Sequence, residues 1–216
     1  MFTPPPKKCQ RCPRLVEFRR ENQAAFPHFY NGAVPSFGGL DAAMLVVGLA
    51  PGLKGANATG RPFTGDYAGV VLYEGLRVHC LATGEYKARP DDGFTLKGVR
   101  ITNAVRCVPP QNKPLPIEEK NCHPFLVDEL KNMPGVKVIL SLGLTSHQAV
   151  LKTLKLKAKD YKFAHGAEHE ITTPTWNGTL LDSYHTSRYN VSTGRLTQAM
   201  FNEVVGQAKR ILGTRA

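Results

Sequence analysis

The sequence predicts an α/β fold in which helices cover both faces of a central, mainly parallel sheet of four strands, giving three α/β/α layers. Two observations support this prediction. Short apolar runs alternate with longer segments of helical periodicity between residues 43 and 212, and each apolar run ends in a loop rich in glycine or polar residues. In such sheets, ligands bind outside the carboxyl ends of the strands. We therefore expect the functional residues in the loops that follow the four strands.

The predicted elements follow one another in a regular order. Residues 1–40 are irregular apart from a short helix at 14–22, because proline-rich and glycine-rich pieces surround it. The predicted strands are 43–47, 99–103, 136–141 and 179–183, and the predicted helices are 67–82, 117–132, 144–154 and 194–212. With 216 residues, of which 42% are hydrophobic, the chain can bury one good core. We expect a single domain over residues 1–216.

The formal net charge of +11 is larger than solubility requires. A basic domain of this kind most often has an anionic partner such as nucleic acid, and the alternative is a basic enzyme without one. Five lysines between positions 152 and 162 form either a solvated face or a strip that contacts phosphates. No apolar run approaches the ~18–20 residues that span a bilayer, and residues 1–8 lack the apolar core of a signal peptide. We therefore expect a cytoplasmic protein with no membrane partner.

Four of the five cysteines have the placement of metal ligands. Cys9 and Cys12 form a Cys-x-x-Cys pair, while Cys107 and Cys122 lie far along the chain, at the edges of polar, proline-rich segments. In a reducing compartment such a set favours metal or cluster ligation over disulfides, and it would tether the N-terminal segment. Zinc and a four-iron cluster both accept four thiolates, so the spacing leaves both open. Cys80 lies in an apolar helical pattern, which predicts a core position.

The first predicted strand opens into a loop bracketed by glycines. Its residues are Gly48, Leu49, Ala50, Pro51 and Gly52. Glycines let the backbone approach a ligand closely, so this loop predicts a binding site. A second glycine-rich loop presents one aromatic ring, Phe63, and one carboxylate, Asp66, directly before a predicted helix. A ring beside a carboxylate suits a flat substrate.

The ordered motifs of the chain resemble those of a known family. The motif segments are 48–52, 55–57, 59–66, 102–107 with Pro109 and Pro110, 184–187, Asn190 and 193–197. Together with the four cysteines, they resemble the iron–sulfur uracil-DNA glycosylases and, within that superfamily, the fifth, B-type family. The resemblance implies a monofunctional DNA glycosylase that removes uracil, and other deaminated bases such as hypoxanthine, and leaves an abasic site in base excision repair. It also implies that Cys9, Cys12, Cys107 and Cys122 hold a structural 4Fe-4S cluster.

Two positions depart from the motifs of related families. Leu49 stands where the A-type family has glutamate and the classical enzymes have a catalytic aspartate, so Asp66 becomes the nearest substitute carboxylate. The last motif, usually His-Pro-Ser, is His185-Thr186-Ser187 here and lacks the fixed φ of proline.

A glycosylase must extrude its target nucleotide into a pocket and hold the base by stacking and by its pairing edge. We predict that Phe63 stacks on the base beside the loop 48–52, and that the Asn103 amide pairs with O4 and N3 of uracil, a turn asparagine being the alternative. His185 is the predicted donor to the departing base, with a structural histidine as the alternative. Asp66 is the predicted carboxylate that orients the attacking water, and a helix cap is the alternative.

The segment from 185 to 196 resembles the loop that enters the minor groove of DNA. Its predicted DNA-binding residues are Ser187, Arg188, Tyr189, Asn190 and Thr193. Arg188, Tyr189 and Val191 would wedge into the gap left by the flipped nucleotide, packing being the alternative for Tyr189. Ser187, Thr193 and backbone amides at the start of the last helix would bind phosphates. The implied partner is damaged double-stranded DNA, and damaged single-stranded DNA is an alternative partner. A sliding clamp is a further candidate partner, and we expect a monomer.

Two other classes of function compete with a glycosylase. A nucleic-acid-binding module with a cluster or zinc and no chemistry has no need for Phe63, Asp66, Asn103 and His185 to converge on one pocket. A dinucleotide-binding enzyme is disfavoured, because no Gly-x-Gly-x-x-Gly follows the first strand and no phosphate-gripping Gly-Lys-Ser/Thr occurs. No lysine stands out as a Schiff-base nucleophile, so we do not expect strand cleavage.

Overall fold

The computed structural model describes residues 2–214, and its elements follow the alternation that the sequence predicts. The helices are α1 (Pro13–Ala25), α2 (Ala56–Thr59), α3 (Tyr67–Val78), α4 (Pro116–Lys131), α5 (Leu144–Thr153), α6 (Arg188–Ser192) and α7 (Gln198–Thr214). The strands are β1 (Met44–Gly48), β2 (Ala82–Thr83), β3 (Thr95–Leu96), β4 (Val99–Asn103), β5 (Val138–Leu142), β6 (Glu168–Thr173) and β7 (Trp176–Ser183). Within the described range, none of the helices combines the length and apolar character needed to cross a membrane.

Five strands form the central sheet in the order β4-β1-β5-β7-β6, and all neighbours are parallel except β7 and β6. The predicted α/β/α class is confirmed, and the sheet has one strand more than the four predicted. The additional strand, β6, lies at an edge and is mostly polar: Glu168 and Glu170 are exposed, and Ile171 is its buried residue. An apolar pattern therefore does not reveal it. The short strands β2 and β3 form a separate antiparallel pair.

Side-chain alternation along β1 separates two hydrophobic cores. Met44 and Val46 face the side covered by α3 and α7, while Leu45 and Val47 face the side covered by α4 and α5. A strand buried on both faces is typical of a parallel sheet. Because β4, β1, β5 and β7 are parallel, their carboxyl ends meet at one edge of the sheet.

Segments outside the parallel strands pair with both outer parallel strands, β4 and β7. At one edge, Phe37 exchanges backbone hydrogen bonds of 2.9 and 2.7 Å with Ile101 of β4. At the other edge, β6 pairs with β7 from Glu168 to Thr173. The segment that precedes β1 therefore packs against the sheet through its backbone.

A buried ion-pair network joins β4 to α4. Glu129 is fully buried and accepts hydrogen bonds from Arg100 Nε at 2.6 Å and from Thr102 Oγ1 at 2.9 Å. The guanidinium of Arg106 donates to Glu129 as well, and to Ser36 Oγ at 2.8 Å. Burial alone would raise the pKa of Glu129, but the charges of Arg106 and Arg100 outweigh burial and lower it. The carboxylate therefore stays ionised inside the protein.

Two local expectations are wrong. Cys80 is exposed rather than in the core, because α3 ends at Val78 and Cys80 lies in the following turn at a φ of 57°. The last helix begins at Gln198 instead of 194, since the chain first forms the short helix α6 and then turns at Gly194, whose φ is 71°.

We predict that Glu129→Gln lowers the free energy of unfolding by about 3–5 kcal/mol, because it leaves two buried guanidinium groups without a counter-charge. Glu17→Gln is the control, since Glu17 pairs with Arg20 at the surface, where the loss should stay within about 1 kcal/mol. Urea unfolding of both variants measures the difference. Equal midpoints for the two variants would contradict a stabilising role for the network.

Candidate active site

An open cleft of about 590 Å³ lies at the carboxyl edge of the sheet. Of the residues predicted for the site, those lining it are Leu49, Ala50, Pro51, Gly52, Phe63, Asp66, Asn103, His185, Ser187 and Arg188. They come from the loops after β1, β4 and β7 and from the loop before α3. The volume falls within the range of small-molecule pockets. The structure therefore brings the predicted aromatic ring, amide, imidazole and carboxylate to one cavity.

The floor of the cleft depends on Gly48, the last residue of β1. A Cβ atom added to Gly48 would lie 2.4 Å from Asn103 Oδ1 and 2.5 Å from Phe63 Cζ. Gly48 therefore allows the amide oxygen and the ring to approach the backbone together. Asn103 is 3% exposed, and within the described residues its Oδ1 has no hydrogen-bond partner. A buried acceptor without a partner is costly unless a ligand supplies the donor.

A tyrosine outside the cleft holds the loop that carries Phe63. The hydroxyl of Tyr86 donates to the carbonyl oxygen of Phe63 at 3.1 Å and accepts from the N–H of Gly65 at 3.3 Å. Phe63 has a φ of 53°, which is uncommon for a residue with a side chain. Gly69 leaves the necessary space, since a Cβ atom there would lie 1.7 Å from the Phe63 carbonyl oxygen. The conformation of the Phe63 loop is therefore fixed by Tyr86 and by the space at Gly69.

His185 faces Phe63 across the cleft, with their ring centroids 6.1 Å apart. Burial lowers the pKa of His185 to about 4. The imidazole is therefore neutral at pH 7, with one N–H donor and one acceptor. Asn190 Nδ2 donates to the main-chain oxygen of His185 at 2.8 Å and fixes the backbone there.

Asp66 is both a helix cap and a cleft residue. Its side chain accepts from the N–H of Gly69 at 3.4 Å as the N-cap of α3. Added Cβ atoms on Gly55 and Gly52 would lie 2.1 and 2.9 Å from Asp66 Oδ2, so both glycines make room for this carboxylate. Burial raises the pKa of Asp66, and hydrogen bonds from backbone N–H groups oppose this effect only partly. The capping role that the sequence left open for Asp66 is therefore present, and the same residue also lines the cleft.

The rim of the cleft is formed by α6. Ser187 is its N-cap and accepts from the N–H of Asn190 at 3.3 Å. Arg188 is exposed and lies over the ring of Tyr67, 5.5 Å from its centroid. Tyr189 is 72% exposed, so it does not pack into the protein. Thr193 is also exposed, and its hydroxyl donates to the Tyr189 carbonyl oxygen at 2.8 Å.

The loop after β5 behaves differently from the prediction that four loops form the site. A Cβ atom on Gly143 would lie 3.6 Å from His185 Cβ, so this loop supports His185 from behind. His147, in the first turn of α5, turns into the protein, where its Nδ1 lies 2.8 Å from Asp182 Oδ1 and its Nε2 lies 2.9 Å from the Tyr161 carbonyl oxygen. The lysine that lines the cleft is Lys54. The lysine run at 152–162 does not line it.

One group of three potential metal-binding side chains occurs in residues 2–214, with ligand atoms that all lie within 4.8 Å of one another. It consists of His147, His169 and Asp182. Both ring nitrogens of His147 face oxygen atoms, one of the Asp182 carboxyl group and one of the Tyr161 main chain. Burial alone would lower the pKa of His147, but the hydrogen bond and charge of Asp182 outweigh it and raise the pKa. Both ring nitrogens of His147 are thus already engaged by oxygen atoms of the protein, and the group is an internal hydrogen-bonded cluster.

The four predicted ligand cysteines line a second cavity, between α1, the loop after β4 and α4. They are Cys9, Cys12, Cys107 and Cys122. The N–H of Arg106 donates to Cys122 Sγ at 3.3 Å. Burial raises the pKa of the Cys107 thiol to about 12 and that of the Cys122 thiol to about 11. Four thiols suit metal ions, which would displace the thiol protons on binding.

Arg19 on α1 lines the same cavity, although it is only 7% exposed. Its Nη2 donates to the main-chain oxygen of Cys9 at 3.0 Å. Its Nη1 is buried and has no hydrogen-bond partner among the described residues. The cavity thus combines four sulfur atoms with a cation that retains a donor.

Several residues at these sites were missed by the sequence analysis. Lys54, Tyr67 and Asn112 line the cleft. Lys54 and Tyr67 lie directly beside predicted loops, so their positions in the sequence could have indicated that they line the cleft. Tyr86 and Arg19 gave no signal, because their roles depend on how distant segments fold back on the loop and on the cysteines.

Comparison with known proteins gives the family of the chain. A model of the uracil DNA glycosylase superfamily matches residues 35–209. The chain is 43% identical over 210 residues to a type-5 uracil-DNA glycosylase of Thermus thermophilus, covering 95% of this chain and 94% of that protein. It is 38% identical over 204 residues to the type-5 enzyme of Pyrobaculum aerophilum, covering 93% and 87%. It is 37% identical over 213 residues to that of Mycobacterium leprae, covering 95% and 92%.

These matches extend over nearly the whole chain and over nearly the whole of each relative. This chain therefore belongs to the uracil DNA glycosylase superfamily and, within it, to the type-5 uracil-DNA glycosylases.

Proposed function

We propose that this chain removes uracil from DNA by hydrolysing the bond between the base and the sugar, leaving an abasic site for base excision repair. The observation that carries the proposal is the convergence of Phe63, Asn103, His185 and Asp66 on one cleft at the carboxyl edge of the sheet. The relatives named as type-5 uracil-DNA glycosylases support it. A nucleic-acid-binding module without chemistry would gain nothing from this convergence.

The flipped base is held by one ring and one amide. The ring of Phe63 stacks on the base, and the loop from Leu49 to Gly52 closes around it. The unpartnered Oδ1 of Asn103 accepts from N3–H of uracil, and its Nδ2 donates to O4. Binding thereby satisfies an acceptor that is otherwise buried without a partner.

Hydrolysis is driven by electrostatic stabilisation of the departing base. The electron pair of the bond from the sugar carbon C1′ to the base nitrogen leaves with the base, and the N–H of neutral His185 stabilises that anion. Asp66 accepts a proton from a water molecule as the water oxygen bonds to C1′. The same carboxylate stabilises the positive charge that develops on the sugar. Leu49 is apolar, so the carboxylate for this step comes from Asp66 rather than from that loop.

The rim residues of α6 contact the DNA in this proposal. Exposed Arg188 and Tyr189 fill the gap left by the flipped nucleotide, while Ser187, Asn190 and Thr193 position the neighbouring phosphates. The net charge of +11 supports attraction to the DNA backbone. We propose double-stranded DNA as the substrate and a monomer as the acting form.

We also propose that the four cysteines hold a 4Fe-4S cluster, which ties the segment 1–40 to the loop after β4 and to α4. The four cysteines line one cavity, where their sulfurs could ligate a single group. Buried Arg19 lines the same cavity and favours a group with negative charge. The cluster supplies structural support.

The first test is cleavage of a labelled duplex with one U·G pair, followed by alkali to reveal abasic sites. We expect one cleaved product only after alkali, because hydrolysis of the bond between base and sugar leaves the phosphodiester backbone intact. A duplex with a C·G pair is the control, and a duplex with hypoxanthine opposite thymine tests the breadth of substrates. Intact uracil duplex after incubation with protein that binds it would favour a binding module.

We predict that His185→Ala lowers the single-turnover rate at least about a hundredfold, as expected when one aimed donor is lost. His28→Ala removes an exposed histidine and should leave the rate unchanged. Rapid-quench measurements with the U·G duplex give both rates. Similar rates for the two variants would exclude His185 as the donor.

We predict that the cleavage rate falls at acid pH when Asp66 is protonated. Burial raises the pKa of Asp66 above the ordinary value of 3.8, so the rate is lost at a higher pH than for an exposed carboxylate. His185, with a pKa of about 4, stays neutral over most of that range. Asp66→Asn should be slower and lack this acid limb while binding DNA almost as well. Asp91→Asn, at an exposed surface pair, should keep the wild-type profile. Loss confined to DNA binding would argue against a role in water activation.

A further inference from the structure

Arg19 differs from the other buried arginines of the described chain. Arg61 pairs with Asp92, and Arg100 and Arg106 pair with Glu129. For Arg19, no carboxylate within residues 2–214 lies at ion-pair distance, and its Nη1 is buried without a partner. A buried guanidinium is costly unless a charge or hydrogen bond compensates it. Within the described chain, the guanidinium therefore lacks both a counter-charge and one hydrogen-bond acceptor.

The position of Arg19 indicates where a compensating anion would lie. The side chain reaches from α1 into the cavity lined by the four cysteines. Its Nη2 is fixed by the Cys9 carbonyl oxygen at 3.0 Å, which directs the guanidinium toward the cysteines. Arg106 lines the same cavity and its Nε is also buried without a partner among the described residues, but Glu129 already balances its charge. Arg11 stacks over Phe125, 4.4 Å from its centroid, and is exposed.

We propose that Arg19 donates a hydrogen bond from Nη1 to a sulfur of the cysteine-bound cluster and balances its negative charge, an inference that rests on the proposed 4Fe-4S cofactor. Four thiolates give such a cluster a net negative charge. Hydrogen bonds to its sulfurs and nearby positive charge favour the more reduced form and raise the reduction potential. Partners outside the ligand set also hold metal groups in place. Arg19 is thus a positioning residue for the cluster and has no contact with the DNA cleft.

The test compares Arg19→Gln and Arg19→Lys with Arg20→Gln in the full-length protein. Arg20 is the next residue on α1, but its side chain is 70% exposed and pairs with Glu17 at the surface. Arg20→Gln therefore removes the same charge from the same helix without reaching the cavity. The measurements are iron and sulfide per chain, the rate of iron loss to a chelator, and the reduction potential from a dithionite titration.

We expect Arg19→Gln to shift the reduction potential to a more negative value and to accelerate iron loss roughly ten- to a hundredfold. Arg19→Lys keeps the charge but not the fork of donors, so it should lie between Arg19→Gln and the wild type. Arg20→Gln should match the wild type. Should Arg19→Gln fail to fold, Arg19→Lys against Arg20→Gln carries the same comparison.

Two results would overturn the inference, and they differ in whether the proposed cluster survives. Iron and sulfide in all variants, with the same potential and the same rate of loss, would remove the role of Arg19 and leave the cluster in place. Zinc, or no metal, in the wild type would remove the proposed cluster and the role of Arg19 with it. Neither result would bear on uracil removal, which is measured separately.

Discussion

The ion pair between Arg106 and Glu129 connects the parts of this molecule that matter for function. Arg106 lies between Asn103 at the floor of the cleft and Cys107 at the second cavity, so its anchorage determines where both lie. Glu129 holds it from α4 and also binds Arg100 and Thr102 of β4. A helix, a strand and the loop between the two sites thus meet at one carboxylate. A buried charge of this kind is tolerated only when fully paired, which makes the local geometry strongly specified.

The sequence is sufficient for features that depend on local patterns. Alternation of apolar runs and helices predicts the parallel sheet, and glycine-rich loops after the strands predict the cleft, because strand polarity alone gathers those loops at one edge. The position of β6 could not be predicted, since an edge strand needs few apolar residues. The support of Phe63 by Tyr86 and the turn of His147 into the core depend on packing between distant segments. For the same reason, the cysteine spacing indicates ligands but does not indicate that Arg19 joins them.

Space is as important in the cleft as the functional groups themselves. Gly48 makes room for Asn103 and Phe63, while Gly52 and Gly55 make room for the carboxylate of Asp66. A side chain at any of these glycines would displace a group that lines the cleft. Asp66 shows how one residue serves two ends. As the N-cap of α3 it has a fixed orientation, and that orientation places its carboxylate in the cleft.

The covered edges of the central sheet also affect how copies of this chain meet. An open strand edge presents unpaired N–H and C=O groups, which can template pairing with another chain. Here the backbone of Phe37 occupies part of the β4 edge, and β6 presents exposed Glu168 and Glu170 at the opposite edge. A neighbouring copy therefore meets a partly occupied strand on one side and negative charge on the other. Both features work against edge-to-edge aggregation of a sheet whose strands β1 and β5 are mostly apolar.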